Sequence, residues 1–333
     1  MNGSAENSVM ISFDGASKTY PDGTVAVHPL NLDILEGEVC VLVGPSGCGK
    51  TTTMRMINRL VEPTSGVVRL AGRDVMTIPL KELRLQMGYV IQQIGLFPHQ
   101  TVRKNIATVP NLLGWDKKKT NERVDEMLDL VGLPADEYAD RFPHQLSGGQ
   151  RQRVGVARGL AADPPVLLMD EPFGAVDPIA RANLQQEFLN LQARVGKTVV
   201  IVTHDIDEAV RLGDRIAVMR KGGYLDQYAT PTEVLGSPAT DFVAEFGGSD
   251  RSLKRLAVTP VESGELEPCG PEARGLPNVP ADISLRDALA VLLDSPEGVI
   301  SVGDPMQPDG TLTMEGVFRA LRAVDPAEVS AAQ

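Results

Sequence analysis

The residues best suited to do chemistry form one run, Gly44-Pro45-Ser46-Gly47-Cys48-Gly49-Lys50-Thr51, and one pair, Asp170-Glu171. In the run, glycines let the backbone curl so that its N–H groups, with the positive end of a following helix, surround the β- and γ-phosphates of a nucleotide. Lys50 supplies a neutralising cation and the Thr51 hydroxyl a ligand for Mg²⁺, with Thr52 beside it completing the cradle. The pair supplies what the loop lacks. Asp170 is suited to fix Mg²⁺ through water, and Glu171 to polarise an attacking water in line with the γ-phosphate, a general-base role. A glycine-rich turn alone, or an acidic loop cap alone, carries little; together they describe a nucleotide hydrolase that uses Mg²⁺.

Such residues need a scaffold. From Ile11 to about Tyr228 short apolar runs alternate with amphipathic stretches, the pattern of strands and helices around a largely parallel sheet. Val39–Val43, Val166–Met169 and Thr198–Val202 are apolar throughout, as strands covered on both faces must be. The phosphate loop follows the first of these, and a helix carrying Met54, Ile57 and Leu60 follows the loop. The carboxylate pair closes the second, at the strand ends where open α/β sheets bind ligands. Leu184, Phe188 and Leu191 share one helix face, as do Val124, Leu128 and Val131; both stripes read as core. Lys221-Gly222-Gly223 reads as a hairpin turn closing the main domain.

The composition sets outer bounds. The 333 residues carry a formal charge of −12, which argues against a free-standing nucleic-acid-binding protein. No apolar run is long enough to span a membrane, and Met1–Ser8 lacks the character of a signal peptide. Cys40, Cys48 and Cys269 are scattered without metal-ligand spacing, which fits a reducing cytoplasm. After about Gly248 the character changes: residues 249–333 hold 14 acidic against 7 basic side chains and nine prolines. Val261–Pro280 reads as an exposed linker, Ile283–Leu293 as a helix and Gly298–Val302 as a strand.

Leu146-Ser147-Gly148-Gly149-Gln150, continuing through Arg151-Gln152-Arg153, matches the signature of the ATP-binding-cassette (ABC) ATPases. The remaining motifs resemble that family in order and spacing. They are Tyr20 in an adenine-stacking loop, Gln92 in the Q-loop, Ala175-Val176-Asp177 in the D-loop, and His204 after the third strand. The resemblance spans about Ile11 to Phe246. It implies an α/β P-loop NTPase fold, with a RecA-like core and a helical subdomain at about 93–155 inside a domain at 1–248. It also implies a homodimer with two ATP molecules sandwiched between protomers, Ser147 and Gly149 touching the γ-phosphate held by the other subunit, with Gly148, Gln150 and Asp177 lining the same space. Gln92 would join Thr51 and Asp170 at the metal, and Lys50, Gln92, Glu171 and His204 would form the hydrolytic set.

The stretch Ile91-Gln92-Gln93-Ile94-Gly95-Leu96-Phe97-Pro98-His99 resembles the subfamily serving uptake of glycine betaine, choline, carnitine and related compatible solutes. That implies transmembrane permease subunits as partners, contacted by the Gln92–Lys104 segment, an extracytoplasmic solute-binding protein acting indirectly, and a peripheral position on the cytoplasmic face of the membrane. An importer ATPase for an amino acid or another small solute is the alternative. A soluble ABC protein of DNA repair or translation fits poorly, since neither a long coiled-coil insertion nor a second cassette is present. Ile283–Leu289, Gly298–Val302, Asp309–Leu312 and Val317–Leu321 resemble one cystathionine-β-synthase (CBS) type repeat. This places a linker at 249–280, a single CBS-like repeat at 281–325, completed across a homodimer or serving only for docking, and a tail at 326–333.

Overall fold

The computed structural model describes residues 8–91, 95–174, 176, 178–261, 266–269, 273 and 275–323. The chain divides into two compact units after Leu225. The first begins with β1 (Val9–Thr19), β2 (Val25–Leu35), β3 (Val39–Val43), α1 (Lys50–Ile57), β4 (Ser65–Leu70), β5 (Arg73–Asp74), α2 (Leu80–Leu85) and β6 (Met87–Val90). A helical stretch follows: α3 (Val102–Ile106), α4 (Thr108–Leu112), α5 (Lys117–Leu130), α6 (Ala135–Tyr138) and α7 (Gly148–Leu160). Then come β7 (Val166–Asp170), α8 (Pro178–Val195), β8 (Thr198–Thr203), α9 (Ile206–Leu212), β9 (Arg215–Arg220) and β10 (Tyr224–Ala229), within which the two units divide.

Two sheets organise the first unit. One is antiparallel, in the order β2-β1-β4-β5. It buries one face, through Ile11 and Phe13 of β1, Leu32 and Ile34 of β2, and Val68 and Leu70 of β4. The other has the order β10-β9-β3-β8-β7-β6, and β9, β3, β8, β7 and β6 run parallel. Every residue of β3, β7 and β8 is buried, which explains why their sequences are apolar without alternation. The register aligns their ends: Val43 lies opposite Thr203, Asp170 opposite Val202, and Val90 opposite Met169. Residues that follow these strands therefore emerge along one edge. Of the helix faces expected to be core, Val124 and Leu128 on α5 and Leu184, Phe188 and Leu191 on α8 are buried, while Val131 caps the end of α5 and is half-buried.

Helix α1 is shorter than its apolar spacing suggested. Met54 and Ile57 are fully buried, but the helix stops at Ile57 and Leu60 is 49% exposed. Arg59 adopts a left-handed conformation, φ 51°, and its guanidinium donates to the carbonyls of Val75, Met76 and Ile78. These tertiary bonds end the helix where propensity alone would let it run.

The second unit holds α10 (Pro231–Gly236), α11 (Asp241–Gly247), α12 (Arg251–Val258), β11 (Asn278–Val279), α13 (Leu285–Asp294), β12 (Val299–Asp304), β13 (Gln307–Thr313) and α14 (Met314–Ala323). In its sheet, β11 is parallel to β12 and β12 antiparallel to β13. Its core joins Leu256 and Val261 with Val279, Leu285, Leu292, Ile300, Val302, Leu312 and Val317. The expected exposed linker is thus corrected. Segment 249–280 contains a helix, and its Leu256, Val261, Ala273 and Val279 are buried. Four apolar residues scattered among prolines and glycines show no period along the chain, yet they meet in space. The unit boundary also falls earlier than the composition change near Gly248. Each of α10, α11 and α13 starts from a side-chain cap, on Thr230, Thr240 and Ser284. The expected tail at 326–333 lies outside the described residues.

Candidate functional site

The phosphate loop leaves β3 at Val43 and closes at Gly49, the N-cap of α1. Gly49 has φ 92° and no side chain caps the helix, so the first N–H groups of α1 are open to a ligand. Two glycines are demanded by the chain itself. A Cβ on Gly44, at φ 151°, would lie 2.0 Å from the carbonyl oxygen of Met219, and one on Gly49 would lie 2.3 Å from that of Ala26. Cys48 is fully buried beneath the loop, and burial pushes its thiol up, so it remains a thiol.

Lys50 is 5% exposed. Its Nζ donates to the carbonyls of Gly44 at 2.7 Å and Pro45 at 3.0 Å and contacts Cys48 Sγ at 3.6 Å. All of these acceptors are neutral. Thr51 Oγ1 donates to Asp170 Oδ1 at 3.0 Å, across 119 residues of sequence. Ser46 and Gly47 are exposed at the loop tip and Pro45 half-buried. Tyr20, in the turn between β1 and β2, is 37% exposed and its hydroxyl stands 3.5 Å from Thr52 Oγ1.

Asp170 ends β7 with its carboxylate buried. Glu171 follows in a left-handed backbone, φ 44°, held by its N–H to the carbonyl of Val202 at 2.9 Å. For a residue with a Cβ this costs on the order of 1–3 kcal/mol, and the Val202 bond shows where it is compensated. The turn points Glu171 at the next strand end. Its Oε1 lies 3.4 Å from His204 Nδ1. Lys50, Thr51, Asp170, Glu171 and His204 are therefore gathered on one edge by the ends of three parallel strands, β3, β7 and β8.

Ser147, Gly148, Gly149 and Gln150 form a different kind of site. Ser147 caps the 13-residue α7: its Oγ accepts from the Gln150 N–H at 3.2 Å, and the Gln150 side chain accepts from the Ser147 N–H at 2.9 Å. Gln150 Nε2 also donates to the Tyr138 hydroxyl at 3.2 Å. A Cβ on Gly148 would meet nothing nearer than Arg151 Nη2 at 4.0 Å, and one on Gly149 would reach Leu184 at 3.4 Å. Among the described residues, no hydrogen bond joins this turn to the phosphate loop. Gln92 and Asp177 lie outside the described residues.

Several side chains in the neighbourhood were not singled out from sequence. Arg55, one helical turn after Thr51 on α1, approaches Asp170 Oδ2 at 3.5 Å and hydrogen-bonds Tyr89 of β6. The i, i+4 spacing from Thr51 is the signal that could have found it. Burial raises the Tyr89 phenol above its ordinary value. Thr203 and Glu208 lie buried around His204, joined by a bond of 2.9 Å. Glu208 sits three residues after the N-cap Asp205, on the first turn of α9.

A family profile described as ABC transporter matches residues 27–174. The osmoprotectant import ATP-binding protein OsmV of Salmonella typhimurium is 50% identical over 279 residues, covering 84% of this chain and 71% of that one. The glycine betaine uptake system ATP-binding protein YehX of Escherichia coli is 47% identical over 311 residues, covering 93% and 99%. A Bacillus subtilis glycine betaine/carnitine/choline transport ATP-binding protein is 54% identical, covering 74% of this chain and 64% of its own length. Among solved structures, cbiO1 of Clostridium perfringens, part of an ABC transporter complex, superposes with a TM-score of 0.65 at 27% identity over 75% of this chain and 99% of that chain. A bacterial ABC transporter cassette solved as a dimer does so with a TM-score of 0.59 at 35% identity, over 67% and 99%. With an ordered phosphate loop, a carboxylate pair at the adjoining strand end and relatives of this identity over nearly full length, the chain belongs to the ABC transporter family, as one of its energy-coupling ATPase subunits.

Proposed function

We propose that the chain powers import of a quaternary-amine osmoprotectant of the glycine betaine, choline or carnitine class. It does so as the peripheral ATPase on the cytoplasmic face of a membrane permease that a solute-binding protein supplies. The substrate class rests on relatives at 47% and 54% identity whose names carry glycine betaine, one of them also carnitine and choline, and on one at 50% named for osmoprotectant import. The hydrolytic reading rests on one observation above others. The Lys50 ammonium is 5% exposed and, among the described residues, has no carboxylate partner. A buried cation satisfied only by neutral carbonyls is costly unless an anion arrives. The phosphates of ATP supply that anion.

The roles follow from position. The loop N–H groups and Lys50 bind the β- and γ-phosphates, with Pro45, Ser46, Gly47 and Thr52 around them and Tyr20 toward the base. The hard oxygens of Thr51 and Asp170, 3.0 Å apart, suit Mg²⁺, with Gln92 as a third donor; bound there, the ion would offset charge on the phosphate oxygens. Glu171 takes the proton of the attacking water, and His204, 3.4 Å away, holds the carboxylate and the γ-phosphate in line. Ser147 and Gly149 add N–H and hydroxyl donors from the partner subunit of a homodimer, with Gly148, Gln150 and Asp177 at the same seam. Supporting this, the two glycines of that turn are not required by contacts within their own chain. Residues 281–325 are read as a single CBS-like repeat, an appendage to the cassette.

Glu171→Gln tests the hydrolytic reading: it should bind ATP, accumulate as a dimer and lose turnover by about a hundredfold or more, and unchanged turnover would sink it. The solute class is tested by the genes adjoining this one. Permease and binding-protein genes for a metal, phosphate or methionine would refute it.

A further inference from the structure

Behind the His204 turn lies a carboxylate that the roles above leave idle. Glu208, on the first turn of α9, is 5% exposed, and Thr203, the last residue of β8, is 2% exposed. Thr203 Oγ1 donates to Glu208 Oε2 at 2.9 Å and accepts from the Asp205 N–H at 3.1 Å. One hydroxyl thus ties together the residues on either side of His204. Asp205 in turn caps α9, accepting from the N–H groups of Asp207 and Glu208 at 2.9 and 3.3 Å. From α8, Arg181 Nη1 faces Asp205 at 3.8 Å and its Nη2 donates to the carbonyl of Val176 at 3.2 Å.

The other oxygen of Glu208, Oε1, is buried without a hydrogen-bond partner among the described residues. A carboxylate kept only for structure is expected to have both oxygens satisfied, since an orphaned charged atom in the interior is expensive. An N3 glutamate kept for capping would reach back to the N-cap backbone instead. Glu208 does neither. It spends its one bond on the hydroxyl that spans His204.

Resting on the assignment of Glu171 and His204 above, we propose that Glu208 is a positioning residue for hydrolysis. As a carboxylate it locks the Thr203 hydroxyl, and through it the His204 turn, against Glu171; as the neutral acid it releases that lock. The charged form makes a hydrogen bond roughly twice as strong as the neutral one. A protonated carboxyl can also turn its own O–H toward the Thr203 oxygen and displace the Asp205 N–H. Proton exchange is with solvent. The groups facing Glu208 are His204 and Asp205 from the turn and Arg181 from α8. Burial pushes its carboxyl up to about 7, opposed by the Thr203 hydrogen bond, reinforced by Asp205, and opposed by Arg181 and His204. The switch would therefore operate near neutral pH.

The test is ATPase turnover of the full chain at saturating ATP and Mg²⁺ from pH 6 to 8.5, for the wild type and for Glu208→Gln, Thr203→Val, Thr203→Ser and His204→Ala. The wild-type to Glu208→Gln ratio of kcat should be about tenfold at pH 8 and shrink to within about twofold at pH 6, with KM for ATP changed less than about twofold. Thr203→Val should reproduce that flattened profile, Thr203→Ser should keep the wild-type profile, and the Glu208→Gln/Thr203→Val double variant should fall no further than either single one. A ratio that stays constant across pH, or additive losses in the double variant, would overturn the proposal. If Glu208→Gln does not fold, the Thr203→Val profile decides. His204→Ala separates the two levels of argument: full turnover in that variant refutes the role of His204 itself. Its inactivity together with a constant Glu208→Gln ratio refutes only the proposal for Glu208.

Discussion

Two glycine-rich segments of this molecule look alike in sequence and differ in what their glycines are for. In the phosphate loop, Gly44 and Gly49 stand in backbone conformations and against carbonyls that exclude any Cβ. In the Ser147–Gln150 turn, Gly148 and Gly149 face open space or a single leucine side chain. The first segment is shaped by its own chain and is ready before a nucleotide arrives. In the second, nothing in its own chain bars a Cβ at either glycine. The edge next to the first segment also holds unfavourable states in its own fold, at the left-handed Glu171 and the buried Glu208; the capped turn holds none.

The comparison can be broken from either side. Gly44→Ala should have the largest effect, a loss of ATP affinity of about a thousandfold with a lowered melting temperature, because the Met219 carbonyl cannot yield; titration with a fluorescent nucleotide measures it. Next comes a pH dependence confined to the strand edge. The Glu208 carboxyl is raised from 4.5 to about 7 in the fold. The folded state thus holds a proton that the unfolded state has lost between those values, and stability falls as pH rises through this window. The fall should total on the order of 3 kcal/mol and level off above pH 7. Denaturant unfolding at pH 4.5 and 8 should show the difference in the wild type and a much smaller one in Glu208→Gln.

Gly149→Ala should leave stability within about 0.5 kcal/mol and ATP binding intact while turnover falls about tenfold. A melting temperature lowered as far as that of Gly44→Ala would erase the distinction between the two segments. Ser147 separates capping from ligand contact more finely. Ser147→Ala should cost about 1 kcal/mol of stability, whereas Ser147→Asp keeps the cap and stability but sets a negative charge where a phosphate is expected, so turnover alone should suffer. Smallest is Cys48→Ala, with ATP affinity changed by about twofold or less, since its contact with Lys50 is weak beside the two carbonyls. A large loss there would mean that the loop depends on its buried thiol more than on its glycines.

Much of this was legible from the chain because the signals are local. Val39–Val43 and Val166–Asp170 announce buried strands by being apolar at every position, and the chemistry begins at their last residues. Ser147 and Gln150 announce a helix start by the spacing of a capping box. What stayed hidden depends on residues far away. Helix α1 stops at Ile57 because Arg59 turns to carbonyls 16 to 19 residues ahead. Segment 249–280 reads as linker because Leu256, Val261 and Val279 form a core only with Leu285, Ile300 and Leu312. Glu208 goes unnoticed because nothing adjacent in sequence reveals that Thr203 draws it inward.

The sequence by itself determined which groups are available and in what order: a cation and a hydroxyl after one buried strand, two carboxylates after a second, an imidazole after a third. Short-range periodicity and loop chemistry suffice for that. The tertiary structure decided which of them meet, setting Thr51 against Asp170 and Glu171 against His204, and which are denied water. Strand register and burial arise from packing between segments 33 to 119 residues apart along the chain, as for Glu171 with His204 and Thr51 with Asp170, and the electrostatics of a side chain follow from that packing.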